Sequence, residues 1–148
     1  MRRLLCRFAV AFFVVASSSL GDSQGKSANV PLFVINGPTV IAFFRPVSDA
    51  DLQKDPDLNE SLSDFQYYSG KAGVDFKKKG IEYHEVYTLS FSVRVGSSVS
   101  VFRSHKDGVG YYFIVPGKRH HVEHGVMTND DLMDVANSYF KLAKHLWP

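Results

Sequence analysis

The stretch Thr39 to Leu52, TVIAFFRPVSDADL, decides how the chain is read. Its first six residues are an apolar run of strand length, continuous rather than alternating, which is the pattern of a strand covered on both faces. Arg45-Pro46 then ends the run, and Ser48 with Asp51 three residues later forms the serine-to-acid spacing of a capping box. A buried strand is thus delivered to a helix start. In α/β proteins the turn at the carboxyl end of such a strand is where chemistry is often kept.

On the N-terminal side, Val30 to Ile35 is a second strand-length run, separated from the first by Asn36-Gly37, with Pro38 at the start of the next strand. On the C-terminal side, Asp55-Pro56 is a further helix start, with Asp as cap and Pro in the first turn. Leu58, Leu62, Phe65, Tyr68 or Ser69, Ala72 and Phe76 recur at helical spacing, and Lys77-Lys78-Lys79-Gly80 ends the run with cations and a glycine. The spacing predicts one long helix over 56–79, with Gly70 and Gly73 as weak points or a kink.

Alternation then takes over. Ile81 to Tyr87 reads as a strand, and Phe91 to Val95 with Val99 to Arg103 reads as a hairpin around Gly96-Ser97-Ser98. Ser104 to Gly110 is a loop; Tyr111 to Val115 and His120 to His124 form another hairpin through Pro116-Gly117-Lys118. Thr128, with Asp131 three residues on, starts a C-terminal helix near 129–146, whose stripe is Leu132, Val135, Ala136, Tyr139, Phe140, Ala143 and Leu146 or Trp147.

The first residues form a separate unit. Arg2, Arg3 and Arg7 precede the apolar block Phe8 to Ala16, and small residues follow at Ser17 to Ser19. That is the layout of a secretory signal peptide over 1–19. The block is nine residues long, against about 20 needed to span a bilayer, which makes an uncleaved anchor the lesser alternative. Residues 20–29 read as a short polar leader and 30–148 as a single domain. Loss of the signal would remove three arginines and leave 14 Lys+Arg against 15 Asp+Glu. The basic pI near 8.6 then belongs to the signal segment, and no basic balance points to nucleic acid. The only cysteine, Cys6, would leave as well. A mature chain without thiols has no disulfide and no cysteine-ligated metal, and it cannot carry out thiol–disulfide exchange.

The order strand, helix, strand, hairpin, hairpin, helix resembles the thioredoxin-like fold. Gly108 to Phe140, GVGYYFIVPGKRHHVEHGVMTNDDLMDVANSYF, is similar to the closing ββα unit of thioredoxins, and TVIAFF is similar to the strand before their active site. The resemblance implies an α/β domain with a central mixed sheet and flanking helices. This chain departs from the family at both diagnostic positions. Arg45 to Asp51 (RPVSDAD) stands where the family has Cys-x-x-Cys, and Val109-Gly110-Tyr111 stands where it has a cis-proline. The middle hairpin occupies the place of a helix.

Two classes of function follow. The first is a protein- or peptide-binding module without catalysis and without a cofactor. Its segment would add to an open sheet edge or lie at the strand tip, where Arg45, Ser48, Asp49 and Tyr111 are the candidate contacts. Caps alone also account for Ser48 and Asp51. The second is metal binding on the strand His120-His121-Val122-Glu123-His124. His120 and His124 share a face but lie about 13 Å apart at the strand rise, too far to hold one ion by themselves. His121 and Glu123, two apart, could chelate together with His105 or His84. Hydrolase and phosphate-loop motifs do not occur, which leaves an enzyme as a distant third reading.

Overall fold

A computed structural model of the protein describes residues 30–103 and 108–143. The signal and leader assigned to 1–29, the loop residues 104–107 and the last turn assigned to the C-terminal helix lie outside the described residues.

The described chain is mixed α/β. It runs through β1 (Leu32–Val34), β2 (Thr39–Phe44), α1 (Asp49–Lys54), α2 (Pro56–Lys78), β3 (Glu82–Tyr87), β4 (Ser90–Val95), β5 (Ser98–Arg103), β6 (Val109–Ile114), β7 (His121–His124) and α3 (Asn129–Ala143). Both expected helix starts are used. The Ser48 side chain and backbone exchange hydrogen bonds with Asp51, capping α1. The Asp55 carboxylate accepts from the Leu58 amide at 3.1 Å, starting α2 on Pro56. Thr128 caps α3 through the Asp131 amide.

The strands form two sheets where the sequence pattern suggested one. The inner sheet has the order β3-β2-β6-β7, with β2 parallel to β3 and antiparallel to β6, and β6 antiparallel to β7. The outer sheet has the order β1-β4-β5, with β1 parallel to β4 and β4 antiparallel to β5. The Asn36-Gly37 break lets β1 leave β2 and join the hairpin. Pairing of this kind is non-local, so alternation reveals a strand without naming its neighbour.

Every residue of β2 and of β6 is buried. Val40, Ala42, Phe44, Tyr111 and Phe113 face α2 and α3, packing with Phe65, Ala72, Phe76, Leu132 and Ala136. Ile41, Phe43, Tyr112 and Ile114 face the outer sheet, packing with Ile35, Phe91, Val93 and Phe102. The two long helices therefore share one face, and the hairpin layer closes the other. This corrects the expectation of a single central sheet flanked by helices.

The two glycines inside α2 have different surroundings. A Cβ on Gly73 would sit 2.6 Å from the Tyr83 ring, whereas one on Gly70 would meet nothing within 4 Å. The Tyr83 ring is itself stacked on Phe76, so an added methyl would have to displace that pair. Ala is preferred to Gly inside a helix by about 1 kcal/mol, and overpacking costs about 1–3 kcal/mol. Thermal unfolding followed by circular dichroism should show Gly70→Ala raising the Tm and Gly73→Ala lowering it.

Candidate functional site

At the end of β2 the chain turns into the expected helix start, and Ser48 with Asp51 is occupied in capping it. The Arg45 amide donates to the Gly108 carbonyl at 2.5 Å, tying the tip to the start of β6. Gly108 has φ +69°, and a Cβ there would lie 2.8 Å from the Arg45 side chain. Ser48 is spent on its reciprocal cap: its hydroxyl donates to the Asp51 carboxylate at 2.7 Å and accepts from the Asp51 amide at 3.2 Å. Those bonds from Ser48 hold the Asp51 carboxyl below its ordinary value of 3.8. Asp49 is exposed in the first turn of α1.

Tyr111, expected as a contact beside Arg45, is not a surface residue. It is fully buried under α2, with its hydroxyl 3.5 Å from the Ser69 hydroxyl. Strand alternation explains the correction, because Tyr111 shares the inward face with Phe113 and Val109. The tip is left with exposed Arg45 and a satisfied helix cap, and Tyr111 gives it no aromatic platform.

On β7 the structure does bring His121 and Glu123 together, with Nε2 and Oε1 2.6 Å apart. The His121 ring also stacks on Tyr139 of α3, at a centroid distance of 6.0 Å. Two other histidines go elsewhere. His84 is on β3, at the opposite edge of the inner sheet and on the opposite face, beside Phe33 and bonded to Glu82. Three strand spacings separate those edges by about 14 Å. His120 packs between Phe102 and Tyr112, where burial lowers its pKa below the usual 6.5. His105 lies outside the described residues. Among the described residues no group of three or more His, Cys, Asp or Glu side chains converges on a point. One histidine and one carboxylate fall short of the three or four ligands zinc commonly takes.

A site that the residue-by-residue reading did not single out lies on the outer sheet. Among the described residues β5 pairs with β4 alone, so its other edge is open. Its outward residues Val99 and Val101 are 53% and 62% exposed, and Leu32 and Val34 on β1 are 46% and 49% exposed. The register aligns Leu32, Ser92 and Val101 in one row and Val34, Arg94 and Val99 in the next. Arg94 and Arg103 are the charged residues of this face, and no acid interrupts it. The inward residues of β5 differ from one another. Phe102 is buried, whereas Ser98 and Ser100 remain exposed. Their small side chains flank a cavity of about 210 Å³, whose other walls include Val93, Phe102, Ile114 and His120. The signal was present in the sequence as the alternation Ser-Val-Ser-Val-Phe-Arg, in which the face that carries Phe102 also carries two serines.

Comparison with known protein families, curated proteins and solved structures finds no match. No helix among the described residues is long and apolar enough to cross a membrane.

Native mass spectrometry of the untagged chain, purified without chelator, should give a bare polypeptide mass. A stoichiometric zinc ion that disappears in His105→Ala would instead show that the loop completes a site with His121 and Glu123.

Proposed function

We propose that this chain is an exported, thioredoxin-like domain without redox chemistry, which binds extended polypeptide segments by accepting them as a further strand beside β5. The observation that carries the binding reading is the open β5 edge, with Val99 and Val101 exposed on one face of it. Edge strands expose unpaired N–H and C=O groups that template another strand, and most proteins blunt such edges with charge, proline or bulges. The two edges of the inner sheet fit that rule, and β1, the other edge of the outer sheet, is only three residues long. β3 carries Glu82, His84 and Glu85, and β7 is four residues long with two histidines and a glutamate. β5 has one charged residue, Arg103, at its end.

Charge selects the occupant. A face rimmed by Arg94 and Arg103 disfavours a partner strand with its own cations, and favours a β-branched segment ending in acids. In strand addition the main chain supplies affinity through ladder hydrogen bonds, each worth about 1 kcal/mol net, and side chains supply selection.

The thioredoxin-like part of the reading is supported by the inner sheet order β3-β2-β6-β7, reached as strand–helix–strand and then strand–strand–helix. The hairpin over 91–103 stands where many thioredoxin-like proteins have a helix. Export is supported by the layout of residues 1–19, and the absence of redox chemistry by Cys6 being the single cysteine. Expression of the whole chain through a secretory pathway should yield a product lacking residues 1–19, read by intact mass. Retention of the full mass would remove export from the reading.

The binding test uses the acetylated, amidated heptapeptide Glu-Thr-Val-Thr-Val-Thr-Glu. Its addition to the ¹⁵N-labelled chain should shift the amides of residues 98–103 and protect them from hydrogen exchange. The double variant Val99→Lys, Val101→Lys should lose that response while keeping the wild-type circular dichroism spectrum. Binding that persists in the double variant would move the site away from β5.

A further inference from the structure

The strand-addition reading, on which this inference rests, leaves open what the added strand presents to the interior. Antiparallel pairing of a segment with β5 would place alternate residues on the inward side, level with Ser98, Ser100 and Phe102. That is the side of the cavity of about 210 Å³. We propose that this cavity is the specificity pocket of the site, and that it takes one large apolar side chain, preferentially aromatic, from the residue of the bound segment opposite Ser100.

Three features converge on this assignment. The first is size. The space lies below the range of roughly 300–1,000 Å³ usual for small-molecule and cofactor sites, yet an apolar space of about 150 Å³ already accommodates a benzene ring. One aromatic side chain fits where a cofactor does not. The second is composition. Val93, Val95, Phe102, Ile114 and Val115 form the apolar lining. Ser98, Ser100, Lys118 and His120 complete the walls; the Lys118 ammonium donates to the Tyr139 carbonyl at 3.0 Å and lies over the Tyr139 ring, and His120 is packed against Phe102 and Tyr112. The third is position. Ser98 and Ser100 occupy inward places on a strand whose next inward residue, Phe102, is buried in the core. Two small residues therefore leave the sheet-to-sheet layer open at its edge, where an incoming strand would lie. A side chain entering there would also meet an aromatic wall, because Phe102 is already surrounded by the rings of Phe91 and Tyr112.

The segment so defined has an alternating pattern. Its β-branched residues would lie outward beside Val99 and Val101, an acid would reach Arg103, and one aromatic residue would point inward. Flanking inward positions level with Ser98 and Phe102 need only small residues.

The test varies the fourth residue of the heptapeptide Glu-Thr-Val-X-Val-Thr-Glu, with X as Ala, Thr, Leu, Phe, Tyr or Lys, and measures Kd by fluorescence anisotropy against the mature chain. Phe or Tyr should bind about tenfold tighter than Ala. The variant Ser100→Phe, which fills the cavity from an exposed position, should erase that preference while still binding the Ala and Thr peptides. Peptides that bind with equal affinity whatever X is would overturn the pocket and leave strand addition standing. A preference for Phe that survives Ser100→Phe would also overturn it, by placing the aromatic residue elsewhere. Absence of binding by every member would overturn the pocket together with the strand-addition reading beneath it.

Discussion

The antiparallel pairing of β2 with β6 is the constraint on which the rest depends. Six residues on each strand are in register from Thr39 opposite Ile114 to Phe44 opposite Val109, and all twelve are buried. Each strand therefore has to present apolar side chains on both faces, and each face has to be covered by something else. Gly110 is part of the same constraint. A Cβ there would collide with the Glu123 carbonyl and reach within 3.0 Å of the Phe43 ring, so the bare backbone is what lets β7 close against β6. Removing a buried Phe side chain from such a layer costs about 3–5 kcal/mol. The ladder and the packing on either side of it stand or fall together.

The two faces are covered by different means. On one side α2 and α3 bring Phe65, Phe76, Leu132 and Ala136, and the Ser69 and Tyr111 hydroxyls meet there at 3.5 Å. On the other side the cover is mainly aromatic. Phe91 contacts Phe43, Phe102 and Tyr112, with ring centroids 5.3–6.4 Å apart, and Tyr112 hydrogen-bonds the Arg103 carbonyl. A three-stranded sheet has two faces, however, and there is only one core to bury against. The consequence is the exposed pair of rows formed by Leu32 with Val101 and Val34 with Val99 on the outer sheet.

Local structure was largely legible because it is written in short-range terms. The double burial of TVIAFF, both helix caps near Ser48 and Asp55, the α2 stripe and the two hairpins all follow from spacing within a dozen residues. What spacing does not encode is which strand lies beside which. β1 and β2 are two residues of turn apart in intent, yet β1 pairs with β4, nearly sixty residues later, because a parallel partner is chosen by the packing of Phe33 and Ile35 onto Phe91. The candidate site followed the same division. The Ser48–Asp51 pair and the meeting of His121 with Glu123 are local and were readable; the burial of Tyr111, the separation of His84 from His121 and the cavity beside Ser100 depend on layers. Gly73 belongs to the second group, since its reason is the Tyr83 ring of a strand beyond the helix end.

The placement of β1 also governs how the molecule bears load. Its ladder with β4 runs from the Pro31 carbonyl, which accepts from Ser92, to the Ile35 amide, which donates to Arg94. Tension applied through the residues that precede Val30, along the strand axis, is shared across those bonds in shear instead of opening them one at a time. Beyond Ile35 the pull passes through the Asn36-Gly37 link into β2, the most deeply buried strand of the inner sheet. A tether at the N-terminal side is thus anchored at the mechanical centre of the domain, and the β5 edge at the far side of the outer sheet stays unloaded.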